Sequence, residues 1–205
     1  MLQQSELTPK ESLRTCPDSW VHYTLKLARE LDDGLLIGRV LNNWAECLRG
    51  SGDLEAAEDL YEQSLPFRRQ HPSAAALCPA NLAIVSIARG ALPRARARLL
   101  EALALISESR FPDRPAQFVL EACAAFMAAV KDWSNAARLY GTSEAQRERL
   151  GVVRERADEG FFAPLMAQVR EALGETDYLQ ESAAGRQLPV QLALSEAQAW
   201  LRSGS

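Results

Sequence analysis

The sequence is poor in the residues that most chemistry needs. Histidine occurs twice in 205 residues, at His22 and His71. Neither falls in an HExxH or other ligand spacing, and no Cys/His cluster offers the three or four convergent ligands a metal requires. No Cys–His or Ser–His–Asp set shows a local signature, and a triad dispersed along the chain would leave none. The GxxxxGK[ST] phosphate loop is missing, and no GxGxxG follows a strand. The expectation is a chain without cofactor, metal or catalytic centre. Aromatics are only 7% of the residues, and strand-forming runs of Val, Ile, Thr and Tyr are hard to find. No apolar stretch approaches the ~18 residues of a membrane span. The opening "MLQQSELTPKESLRTC" lacks an apolar signal core, so a cytoplasmic chain with no membrane role is expected. A basic excess is also missing: 27 acidic and 23 basic residues give a net charge of −4. That argues against direct nucleic-acid binding by this chain. The four cysteines, Cys16, Cys47, Cys78 and Cys123, are far apart in apolar helical patterns and read as reduced and buried.

What remains is abundant alanine and leucine within a 47% hydrophobic chain, a mixture that favours closely packed helices. Thr8-Pro9-Lys10-Glu11 has the form of a capping box with proline at the first helical position. A helix carrying Trp20, Val21, Leu25 and Ala28 should end at Asp32-Asp33-Gly34. Further helices are expected over about 35–49, stopped by Gly50-Ser51-Gly52, and from Asp53 to about 69. Another should span about 73–89, kinked or delayed by Pro79. Three more fall at about 93–107, 113–130 and 132–150. Later come 161–173, stopped at Gly174, then 176–184, stopped at Gly185, and a last helix from near Pro189.

Small residues recur in register through this array. Ala45, Ala57 and Ser64 are spaced by 12 and 7; so are Ala83, Ala95 and Ala102, and Ala124, Ala136 and Ser143. Each triplet brackets a turn: Gly52-Asp53, Gly90-Ala91, Lys131-Asp132. Two helices approach closely only where side chains are small, and no single pair buries its apolar face alone, so pairs should stack. The copies are offset by 38 and then 41 residues.

The pattern of small residue, turn, small residue, aromatic and small residue resembles the tetratricopeptide repeat (TPR), most closely in the first and third copies. The wider order of motifs is Gly52-Asp53, Ala57, Arg138-Leu139, Gly141, Arg147, Leu150-Gly151, Ala172-Leu173-Gly174, Gly185-Arg186 and Leu188. It resembles the C-terminal TPR region of bacterial LuxR-type and SARP-type ATPase transcriptional regulators, over roughly Trp20 to Leu201. The chain departs from that pattern in lacking an ATPase or DNA-binding segment. The resemblance implies an all-α fold of stacked antiparallel helix pairs, a TPR-like α-solenoid. Its parts would be N-terminal helices over 1–34, three helix pairs over 35–152 and capping helices over 153–205.

In that family the first helix of each pair lines a concave groove. The resemblance therefore assigns a partner-binding groove to Arg39, Asn42, Asn43, Glu46 and Arg49, then Asn81, Ile84 and Ile87, then Phe118, Glu121 and Ala125. Asn43 and Asn81 hold equivalent positions, and a carboxamide suits a peptide backbone because it donates and accepts at once. The same asparagines could equally brace neighbouring helices, and Ile84, Ile87 and Phe118 could belong to the core. Arg94, Arg96 and Arg98, with Arg89, read as a solvated helix face; Arg68 and Arg69 read as charges complementing a helix C-terminus. The leading expectation is a non-catalytic module that binds a protein or peptide, as part of a bacterial regulator. The alternatives are a small-molecule sensor with a closed pocket near Asn43, Asn81 and Glu121, and self-association anchored on Trp20 or Trp200.

Overall fold

A computed structural model describes residues 18–69, 71, 74–109 and 113–203. The capping box at Thr8 and the residue Cys16 lie outside the described residues. Every regular element among them is a helix: α1 (Asp18–Glu30), α2 (Gly34–Ser51), α3 (Leu54–Arg68), α4 (Leu77–Ala88), α5 (Leu92–Ser107), α6 (Asp113–Ala129), α7 (Trp133–Leu150), α8 (Arg156–Leu173), α9 (Glu175–Gln187) and α10 (Val190–Ser203). No helix among these is long and apolar enough to cross a membrane.

The turns follow from local chemistry. Asp53 caps α3 by accepting from the Ala56 N–H, and Asp132 caps α7 by accepting from the Asn135 N–H. Asp33 does the same for α2 through Leu36. Such caps contribute about 1 kcal/mol each. Gly52 closes α2 at φ +90°, its N–H reaching the carbonyls of Leu48 and Arg49. Gly90 takes φ +72° at the equivalent turn, but the third copy places Lys131 there at φ +66°. Pro79 delays rather than kinks: α4 begins at Leu77, so the proline sits in the first turn, where its missing N–H breaks no helical bond.

Side-chain size then decides which helices meet. α2 packs on α3, α4 on α5 and α6 on α7, while α3 also touches α4 and α5 touches α6. All nine small residues of the 12-and-7 triplets have no solvent exposure. α4 is buried on every side from Cys78 to Ile87. Its Cys78, Leu82 and Val85 join a core with Leu41, Tyr61 and Leu65, and its Ala83, Ile84 and Ile87 join the larger core built on α5 to α8 and α10.

Two C-terminal boundaries differ from expectation. α8 begins at Arg156, about a turn earlier than Phe161, with Asp158 and Glu159 favourably placed in its first turn. α9 does not stop at Gly185 but runs through it. That glycine is a crossing point. A Cβ there would collide with the Arg138 carbonyl of α7, and a Cβ at Gly141 would collide with the Ser182 carbonyl of α9. Thr142 Oγ1 donates to the Gly185 carbonyl across the same contact, at 2.7 Å. The C-terminal helices also reach further than a terminal cap: α8 packs on α2, α6 and α7, and α10 on α5, α6 and α7.

Candidate functional site

The residues assigned to the groove fall into three groups. Arg39 and Asn43 are exposed on α2. Asn42, Arg49, Asn81 and Glu121 are buried, and Glu46 and Phe118 are half-buried. Ile84 and Ile87 are core residues and Ala125 is fully enclosed, so these three face other helices of the chain.

The buried polar members bond to each other. Asn42 Nδ2 donates to Glu46 Oε1 at 2.7 Å, one turn along α2. Asn81 Nδ2 donates across to Asn42 Oδ1 at 3.3 Å and approaches Glu46 Oε1 at 3.4 Å. The carboxamide that meets Asn81 is thus that of Asn42, while Asn43 is exposed. Burial, reinforced by the Glu155 and Asp158 charges, pushes the Glu46 carboxyl up to about 7.

The second half of the surface is occupied by the chain's own segment at the start of α8. Arg49 pairs with Asp158 and donates to the Ala157 carbonyl at 3.4 Å and to the Tyr61 hydroxyl at 3.4 Å. Ala157 lies over Gly50, where an added Cβ would meet it at 3.1 Å. Arg154 enters between α6 and α7 and pairs with Glu121, Glu144 and Glu159. Its guanidinium also lies 5.3 Å from the Tyr140 ring centroid and 5.9 Å from that of Phe162. Phe162 meets Phe118 edge-on, with centroids 6.5 Å apart. Burial raises the Glu121 carboxyl to about 7 against the opposing pull of Arg154. Sequence reasoning missed this role of Arg154. Its only visible signal was one more arginine in a loop after Gly151, with nothing local to say where it would reach.

The other named residues find structural partners. Arg94 pairs with Glu58 and Glu62, Arg98 with Glu62 and Glu101, Arg89 with Glu58, and Arg69 with Glu101. Arg96 donates to the Leu201 carbonyl at 2.6 Å and so ties α5 to α10. The basic run is therefore a seam of ion pairs between α3 and α5 as well as an outer face. Cys78 and Cys123 are buried free thiols, and Cys47 is half-buried. Burial pushes Cys78 to about 11 and Cys123 to about 12, which makes poor nucleophiles.

Open surfaces are present among the described residues. Trp20, Tyr23 and Leu27 form an exposed apolar stripe along α1, continued by Leu31 just past its end, with Trp20 68% exposed. A cavity of about 440 Å³ lies between α6, α7 and α10, floored by Met127, Leu139, Ala197 and Trp200, with the Arg138–Glu196 ion pair at its edge. Its lining includes none of Asn43, Asn81 and Glu121, near which a sensor pocket was expected. No group of three or more potential metal ligands converges among the described residues. In comparisons with known proteins, no family model, no curated protein and no solved structure matches the chain.

Proposed function

We propose that the chain is a non-catalytic helical-repeat module, an α-solenoid of TPR-like pairs that binds a protein partner. The observation that carries this reading is the burial of all nine small residues in the three 12-and-7 triplets. Alanine richness alone would scatter alanines over both faces of each helix. Repeated pairs need them only at the crossings between helices, and a stack of pairs leaves long helix faces for a partner. The resemblance of its motifs to those of LuxR-type and SARP-type regulators supports a place within a bacterial transcriptional regulator, where such a module would couple a partner to output.

The coverage of Arg49, Glu121 and Phe118 by α8 narrows the binding surface. In this reading it is the open end of the α2 face, around Arg39 and Asn43. The test is native mass spectrometry of the purified chain before and after incubation with lysate of the source cells. A single protein bound at fixed stoichiometry, and lost in a folded Arg39→Glu/Asn43→Ala variant, supports the module. A bare chain in both conditions, or a partner retained by the variant, overturns this placement.

A further inference from the structure

The helical period puts Asn135, Arg138 and Leu139 on one face of α7, and Glu196, Ala197 and Trp200 on one face of α10. All six line the cavity of about 440 Å³, and Met127 of α6 adds to its floor. That volume lies within the roughly 300–1,000 Å³ of small-molecule sites. Each wall carries one charge beside a large apolar surface. On α7, Arg138 is followed directly by Leu139; on α10, Glu196 is followed one turn later by Trp200. The indole is half-buried and is held edge-on by Phe126, with ring centroids 6.1 Å apart.

The charged edge is fixed from behind. Asp132 accepts from the Asn135 N–H at 3.3 Å and from Asn135 Nδ2 at 2.8 Å. That orients the carboxamide so that Asn135 Oδ1 accepts from Arg138 Nη2 at 3.1 Å. The same nitrogen lies 2.9 Å from Glu196 Oε2, yet that oxygen is enclosed and receives no in-line N–H. The two charges therefore touch without a formed hydrogen bond. A guanidinium has five N–H donors, so one engaged nitrogen leaves most of the Arg138 fork for another acceptor. The Arg138 and Glu196 side chains remain 33% and 36% exposed, and both can be reached from the opening. A cation and an anion thus stand side by side at the edge of an apolar cavity.

We infer that this cavity binds a free zwitterionic amino acid with an aromatic side chain. Its carboxylate accepts from the remaining N–H donors of Arg138. Its ammonium donates to the Glu196 carboxylate on the Oε1 side, because Oε2 is enclosed. Its ring lies over Trp200, Leu139 and Met127, where burial of apolar surface and ring-on-ring contact supply the driving force. Charge complementarity selects the zwitterion. A lone anion would be repelled by Glu196 and a lone cation by Arg138, whereas a zwitterion answers both. One turn of α10 separates Glu196 from Trp200, about 5–6 Å between Cβ atoms, comparable to the reach from charged head to ring in such a molecule. The site does not rest on the protein-binding reading and shares no residue with the Arg39 and Asn43 face.

The experiment follows the indole Nε1–H resonances of the whole chain by proton–nitrogen NMR while L-phenylalanine is added to millimolar concentration. Trp200→Phe assigns the Trp200 signal among the four tryptophans. L-phenylalanine should move that signal saturably and leave those of Trp20 and Trp44 in place. Phenylethylamine, 3-phenylpropionate and glycine are titrated in parallel, lacking the carboxylate, the ammonium and the ring respectively. Each should bind at least about tenfold more weakly, the worth of one charge-assisted pair for the first two. In Glu196→Gln, L-phenylalanine and 3-phenylpropionate should bind equally. A Trp200 signal that does not move in the unmodified protein, or that moves only together with those of Trp20 and Trp44, overturns the site whether or not the variants fold. Equal binding of L-phenylalanine and either single-charge analogue overturns the zwitterion, and glycine binding as tightly overturns the apolar floor. A preference for L-phenylalanine over 3-phenylpropionate that survives in Glu196→Gln overturns the role of Glu196.

Discussion

Replacing Gly185 by alanine should destabilise the chain, although general helix propensity says the reverse. In an exposed helix interior, glycine to alanine gains about 1 kcal/mol. At Gly185 the new methyl would run into the Arg138 carbonyl of α7, an oxygen held by the helix rather than the end of a flexible side chain. Overpacking of this kind costs about 1–3 kcal/mol. Separating α9 from α7 also stretches the hydrogen bond from Thr142 to the Gly185 carbonyl, a loss of about 1 kcal/mol. The net is a destabilisation of about 1–3 kcal/mol. For a domain of this size each kcal/mol lowers Tm by roughly 2–4 °C. Gly160 is the control, a helical glycine of α8 with nothing within 4 Å of an added Cβ. Gly160→Ala should be stabilising by about 0.5–1 kcal/mol. Urea unfolding followed by circular dichroism compares the two. If Gly185→Ala matches or exceeds the unmodified chain in midpoint, the close crossing of α7 and α9 is wrong.

The second repeat copy lacks a feature of the others: Ala91 takes nearly the φ and ψ of Asp53 and Asp132 but makes no side-chain cap. Ala91→Asp should therefore raise stability by about 1 kcal/mol, and Lys131→Gly, which relieves φ +66°, by about 0.5–1 kcal/mol; an unchanged thermal midpoint in both would deny the equivalence of the three turns. Arg154→Met should cost about 3–5 kcal/mol by stranding Glu121, and the double variant with Glu121→Gln should recover part of that loss; equal stability of single and double variants would show that the pair is not coupled. Glu46 has its folded pKa raised to about 7 from 4.5, so between those values the folded chain holds a proton that the unfolded chain has released. Its contribution to stability is complete below about pH 4.5 and falls as pH rises to about 7. Glu46→Gln keeps an acceptor for Asn42 and should gain on the unmodified chain between pH 5 and pH 8; a constant difference in urea midpoint across that range refutes the buried carboxyl.

Helix positions were readable because their causes are local. Asp53, Asp132, Gly52 and Gly174 act on backbone within a few residues of themselves, so spacing alone reveals them. The burial of the small-residue triplets was equally readable, since a spacing repeated three times leaves a periodic mark. Gly185 was misread as a stop because a helix-ending glycine and a helix-crossing glycine look alike in sequence; only the presence of α7 against it separates them. The residues assigned to the groove divide by exposure. Arg39 and Asn43 are open, while Asn42, Arg49 and Glu121 are engaged by groups as distant in sequence as Asp158 and Arg154.

The sequence by itself determined the helical class, the caps and turns, and the burial of the regularly spaced small residues, all of which depend on interactions within about a dozen residues or on repetition. Tertiary structure alone decided which charged side chains are paired and which are left open. Arg154 and Arg68 are both arginines near a helix end. One is carried into three carboxylates by the return of α8 to α2, α6 and α7, and the other is enclosed above Gly38 in no ion pair among the described residues. Charge pairing depends on distances set by the whole packed chain, and no local pattern encodes them.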